Sequence, residues 1–239
     1  MAGRMRFRLG RLLHGKHAWN AAALLAVLTL ASIGCNPIAT LGYLVYPFFP
    51  NNNDPLCPLT IPDKESKVVI ICAHEDMLAS DPIFRDADEV ICRQLIGMLT
   101  QRYKENKDKV QIVPVTKVYS YLRSHPEWLM KSKQEIGKQF EADYLVYLEL
   151  GPMTMFEPGN SLYRGRVEVH VTVFDVCKPE GEGIKYEPPF YTCLYPTAYG
   201  EDRIGMSPQN FRAKFLEKVA KDLTQYFAVH PTKDKMGPD

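Results

Sequence analysis

His74, Glu75 and Asp76 stand side by side directly after the apolar run 67–72 (KVVIIC). The end of a strand is where α/β proteins often hold a ligand, and an imidazole beside two carboxylates can ligate a metal. The local sequence is HEDML, however, and lacks the second histidine that H-E-x-x-H uses to place two ligands on one helical face. A polar loop without a metal is therefore expected here, with a metal-binding or catalytic loop as the alternative. No G-x-S-x-G elbow, phosphate-binding loop or dinucleotide-binding glycine pattern occurs, and Gly181 and Gly183 read as a loop tip. No catalytic residue and no cofactor are expected.

Cysteines at 35, 57, 72, 92, 177 and 193 show no C-x-x-C pairing, so neither a zinc site nor a redox motif is indicated. Cys72 and Cys92 lie in apolar surroundings and read as buried thiols, a strand-to-helix bridge being the alternative. Cys177 and Cys193 fall on the two arms of an expected hairpin, which an oxidising compartment can cross-link. On the first arm Arg164, Arg166, Glu168, His170 and Thr172 alternate with Gly165, Val167, Val169, Val171 and Val173. A period of two puts the first set on a wet face and the second in the core. The stripe Arg164, Arg166, Glu168 and His170 is then either a solvated face or a surface that docks another protein. Tyr186, Tyr191, Tyr195 and Tyr199 add aromatic rings that suit an interface or cover the core.

The elements that must position these residues are legible in outline. The β-branched run 67–72 reads as a buried strand. A helix follows from Ala87 to about Lys104, with Val90, Ile91, Leu95, Met98 and Leu99 on one face. Residues 110–115 form a second strand, Thr116 caps a short helix carrying Val118, Tyr119 and Leu122, and Pro126 stops it. Ser132 with Glu135 is a capping-box pattern for a helix to about Glu141. Residues 143–156 read as a long central strand with a bulge or bend at Gly151 and Pro152. Strands 164–173 and 190–195 pair as a long-armed hairpin. Ser207 and Pro208 open a last helix whose stripe is Phe211, Phe215, Leu216, Val219, Leu223, Tyr226 and Phe227. This order predicts an α/β class with one mixed parallel and antiparallel sheet of about five strands and helices mainly on one face. The domain spans 67–228, with a flexible tail at 229–239.

Charge is unevenly placed along the chain. Lys+Arg 29 against Asp+Glu 28 leave a net charge of +1, but Arg4, Arg6, Arg8, Arg11 and Lys16 all precede the first acid, Asp54. Without those five cations the balance is −4, so there is no electrostatic case for a nucleic-acid partner. Residues 17–53 contain no Asp, Glu, Lys or Arg, and 21–28 is an unbroken apolar run. A basic start, an apolar core and small residues before a possible cut are the parts of a secretory signal. Residues 30–35 (LASIGC) resemble a bacterial lipoprotein signal, with Gly34 and Cys35 matching and Ser32 where leucine is preferred. That resemblance implies lipidation of the Cys35 thiol, a signal over 1–35, and membrane lipid as a partner. Asn36, where a retention aspartate is absent, implies an outer-membrane destination. Residues 36–66 then read as a tether, apolar to Phe49 and rich in Pro and Asn over 50–63. An uncleaved anchor through 18–49 and simple secretion are the alternatives, and all three place the domain outside the cytoplasm.

The block 135–150 (EIGKQFEADYLVYLEL), followed by the strand RVEVHVTVFDV, resembles a pattern of cell-envelope lipoproteins in which a helix ends in "GAD" and a strand follows at once. The curli-secretion lipoprotein, the activator lipoproteins of penicillin-binding proteins and the N-terminal domain of the Tol propeller protein share it. Ala142 and Asp143 match, and Glu141 occupies the place of the usual glycine. The resemblance covers about 67–228, mainly in element order. It implies a non-catalytic domain, lipid-anchored at the outer membrane, that binds or helps assemble other envelope proteins, with a membrane-tethered structural domain without a separate site as the alternative.

Overall fold

Val68, Val69, Ile70 and Ile71 are all fully buried, so both faces of their strand are covered, as parallel pairing requires. In the computed structural model, which describes residues 52–74, 80–156, 162–179, 181–197 and 205–232, a short β1 (Asn52–Asn53) precedes this strand, β2 (Ser66–His74). Helix α1 (Ala87–Asn106) then buries Ala87, Ile91, Leu95, Leu99 and Tyr103 at four-residue spacing. It ends at Lys107, which turns into the left-handed region at φ 61°.

Strand β3 is shorter than expected, Val110–Ile112, because Pro114 stands at the N-terminus of α2 (Val115–Ser124). Proline has no amide hydrogen for a ladder, yet it suits a helix start. A 3-10 turn (Pro126–Met130) leads to α3 (Lys133–Gln139). There Ser132 and Glu135 form the expected capping box, Ser132 Oγ accepting from the Glu135 amide at 3.3 Å and Glu135 Oε2 accepting from the Ser132 amide at 3.2 Å. Glu141 follows the helix at φ 53°, a left-handed conformation that explains why glycine suits this place.

β4 (Tyr144–Leu150) pairs parallel with β2, and β2 pairs parallel with β3. The expected single strand over 143–156 breaks at Gly151 to Met153 and resumes as β5 (Thr154–Phe156). Both pieces run antiparallel to β6 (Tyr163–Asp175). On the other side of β6 lie β7 (Ile184–Tyr186) and β8 (Tyr191–Tyr195), the second arm of the hairpin. β4 and β7 share one stretch of β6, and β5 and β8 share another, so the seven segments of the sheet occupy five strand positions. The fold is the mixed α/β sheet that the sequence predicts.

The two long helices lie on one face. Cys92 of α1 donates its thiol to the Ile70 carbonyl, and Phe211 and Phe215 of α4 (Pro208–Phe227) pack on Tyr163, Tyr195 and Phe84. α2 and α3 take the opposite face, where Lys133 sits 4.3 Å above the Tyr147 ring and Tyr121 meets Phe140 edge-on. The crossovers from β2 to β3 and from β3 to β4 run in opposite directions. With one handedness, they place their helices on opposite sides. The short pair packs mainly on β2 and β4.

The Pro/Asn-rich stretch does not behave as a free tether. Cys57 and Leu59 are buried, the Cys57 amide donates to the Tyr226 carbonyl at 2.7 Å, and β1 pairs with β9 (His230–Pro231). Proline excludes helix and strand interiors but not burial, so this segment packs as an irregular strap. The domain therefore begins before residue 67, and β9 ties residues 230–231 into the fold. Residues 1–51, with the basic leader, Cys35 and the apolar stretch to Phe49, lie outside the described residues. Among the described residues no helix is long and apolar enough to cross a membrane.

Candidate functional site

Alternation along β6 divides its side chains between two environments. Val167, Val169, Val171 and Val173 are fully buried beneath the long helices, each burial contributing about 1.5–3 kcal/mol. Arg164, Arg166, Glu168 and His170 emerge on the face that α2 and α3 leave open. The structure therefore brings all four predicted stripe residues onto one surface.

Neighbouring strands complete that surface. Arg166 stands opposite Thr154 of β5 and Leu194 of β8, Glu168 opposite Thr192, and His170 opposite Glu149. A groove of about 600 Å³ is lined by Pro152, Thr154, Phe156, Arg164, Arg166, Glu168 and Leu194. Its floor is part apolar and its charges are already engaged. Arg166 donates to Glu168 Oε1 at 2.8 Å, and Arg164 donates to the Thr197 carbonyl at 3.2 Å. At the inner end, His170 Nδ1 lies 3.4 Å from Glu149 Oε2 and Nε2 lies 3.2 Å from Glu187 Oε1, with the Phe190 ring 4.9 Å from the imidazole. Phe190 is 66% exposed and Phe156 37%. Exposed ion pairs of this kind contribute little to folding, so the charge pattern is free to serve recognition.

Glu149, Pro152, Phe156, Glu187, Phe190 and Leu194 are members of this surface that sequence reasoning missed. The one local signal was Glu149, a lone acid in the apolar run YLVYLEL. Tyr191 and Tyr195 point the other way: Tyr191 donates its hydroxyl to Asp222 of α4, and the Tyr195 ring lies 5.7 Å from Phe211. They cover the core. Tyr199 lies outside the described residues.

His74 ends β2, and both of its ring nitrogens are buried without a hydrogen-bond partner among the described residues. Burial pushes the nearby Asp88 carboxyl up, and His74 opposes that shift. Glu75 and Asp76 lie outside the described residues. Among the described residues no three His, Cys, Asp or Glu side chains are grouped to hold a metal ion.

The Cys177–Cys193 bridge does not form. Both are free thiols, Cys177 exposed beyond the end of β6 and Cys193 buried in β8 opposite Val167. The register separates them by about 30 Å along the strand direction, at ~3.3 Å per residue, whereas a disulfide needs Cα atoms within about 7 Å. Tyr147, on the face shared by α3, has its phenol pushed up to about 12, chiefly by burial and then by Glu149.

No family model and no curated protein matches the chain. Among solved structures it is similar to lipoprotein GNA1162 from Neisseria meningitidis, at 7% identity over 66% of this chain and 97% of that one, with a TM-score of 0.41. It is also similar to the PelC dodecamer from Paraburkholderia phytofirmans, at 14% identity over 74% and 96%, with a TM-score of 0.40. A third is the LpoB C-terminal domain from Salmonella enterica, at 10% identity over 54% and 82%, with a TM-score of 0.25. The structures it resembles thus include a lipoprotein.

Proposed function

We propose that this chain is an exported, non-catalytic domain, held at the outer membrane by lipid on Cys35, that binds another envelope protein on the open face of β6. The observation that carries the binding reading is the groove beside the stripe. Arg164, Arg166 and Glu168 border an apolar floor of Pro152, Phe156 and Leu194, and an exposed Phe190 lies beside His170 further along the stripe. An apolar centre with a charged rim is how protein interfaces are built. The occupant is a protein segment that places an aliphatic or aromatic side chain between Phe156 and Leu194 and polar groups against the arginines. The attachment reading rests on the basic leader and the LASIGC segment.

Two measurements test the two parts separately. Intact mass of the membrane-extracted protein is expected to start at Cys35 with acyl chains added, and retention of Met1 would overturn lipidation. Cross-linking and pull-down from membranes are expected to lose the partner when Arg166→Glu and Glu168→Arg are combined. Unchanged capture would remove the sheet-face reading. A second reading, a metal-binding or catalytic loop at His74, Glu75 and Asp76, is favoured by the two buried nitrogens of His74, unpartnered among the described residues. Metal titration with a His74→Ala control decides it, and the absence of stoichiometric binding ends it.

A further inference from the structure

Cys92 Sγ of α1 lies 3.5 Å from the Ile70 carbonyl oxygen, so the helix is pressed directly onto the backbone of β2. Cys72 is two residues further along β2 and therefore on the same face as Ile70. Cys72 and Cys92 are both free thiols, buried at 2% and 0% exposure, and the Cys92 thiol adds to burial in pushing the Cys72 thiol up. The remaining described cysteines are placed elsewhere: Cys57 in the strap, Cys177 beyond β6 and Cys193 beside Tyr191. Small side chains at these two positions let the strand and helix approach closely, which a strand-to-helix disulfide requires.

We propose that Cys72 and Cys92 are a modification site, joined by a disulfide when the protein folds in the presence of a disulfide oxidant. The two thiols lose two protons and two electrons, a new Sγ–Sγ bond forms, and the oxidant's disulfide is reduced to two thiols. Burial holds the Cys72 thiol protonated, and only thiolate attacks a disulfide, so the reaction belongs to folding, before α1 seats on β2. Once formed, the bond is shielded in the core. It staples β2 to α1 and closes the segment that contains His74. This inference goes beyond the binding reading and needs export only to supply the oxidant in the cell.

The test refolds the purified full chain in an oxidised/reduced glutathione buffer, followed by denaturing alkylation without reduction and peptide mass analysis. The expected result is a linked peptide pair carrying Cys72 and Cys92, with Cys177 and Cys193 alkylated. The oxidised protein is expected to melt roughly 10 °C above the reduced form, a difference absent in Cys92→Ala. Alkylation of both Cys72 and Cys92 after oxidative refolding overturns the proposal. So does a linked pair that joins either to another cysteine. Because Cys92→Ala leaves a small cavity, Cys92→Ser and the unmutated chain under reductant serve as folded references. Export and partner binding are not read by this assay, so its failure leaves them standing.

Discussion

The Tyr191 hydroxyl of β8 donates to Asp222 Oδ2 of α4, while Lys218, one turn earlier on the helix, donates to Oδ1 at 3.1 Å. The Asp222 and Lys218 side chains are 4% and 10% exposed, so a strand, a helix and a nearly buried charge pair share one network. Burial and then the neighbouring thiol and carboxylate push the Tyr191 phenol far up, which keeps it a donor at all working pH. Asp222→Ala removes the nearly buried carboxylate that Lys218 and Tyr191 share and is expected to cost about 3–5 kcal/mol. Tyr191→Phe is expected to cost about 1–3 kcal/mol. Urea unfolding of both variants and of the double mutant measures the coupling, and losses below 1 kcal/mol in Asp222→Ala contradict the account.

Glu141→Gly is expected to stabilise the domain by about 1 kcal/mol, because the residue sits at φ 53°, where a Cβ is strained. The ion pair it gives up with Lys67, at 3.5 Å, is exposed on the glutamate side and contributes little. A higher urea midpoint confirms the gain, and a lower one shows that the ion pair matters more than the backbone.

Gly165→Ala places a Cβ 2.6 Å from Cγ of Phe215, a fully buried ring with nowhere to move. The expected cost is about 1–3 kcal/mol. Pairing it with Phe215→Leu is expected to recover part of the loss, which a thermal melt of the two variants reads directly.

Asp143 couples stability to acid. Its burial alone pushes the carboxyl up, but Lys64 at 2.6 Å and the Lys67 amide at 2.8 Å outweigh it and hold the carboxyl below its usual range. A carboxyl depressed on folding contributes stability above its unfolded value, about pH 4, and loses it as pH falls through the folded value. The difference in unfolding free energy between the natural chain and Asp143→Asn is therefore expected to be constant from pH 5 to pH 7, in rough terms, and to shrink below about pH 4. A difference that grows in acid refutes this assignment.

Exchanging Arg166 and Glu168 is expected to shift stability by no more than about 0.5 kcal/mol, since the pair is exposed on both sides. Equal urea midpoints then license the exchange as a binding probe. A large loss would mean that this pair supports the sheet.

The sequence by itself determined which side of each element meets the core. The valines of β6, the stripe of α4, the capping box at Ser132 and the proline stops are all encoded within a few residues, and each appears as read. Period and cap chemistry are local, so they survive any arrangement of the elements. Only the tertiary structure decided what lies across the gap. Sheet register put Cys193 opposite Val167 and away from Cys177. Crossover direction brought Cys92 against β2 and left the Arg166 and Glu168 stretch of β6 exposed on one side. Packing turned the proline-rich stretch at Cys57 and Leu59 into a strap, and turned Tyr191 inward to Asp222. These outcomes depend on pairings between residues distant along the chain, and a local period carries no information about the partner it will meet. The stripe from Arg164 to His170 was legible because alternation marks an outward face. Its groove was not, because Phe156 and Leu194 reach it from two different strands, β5 and β8.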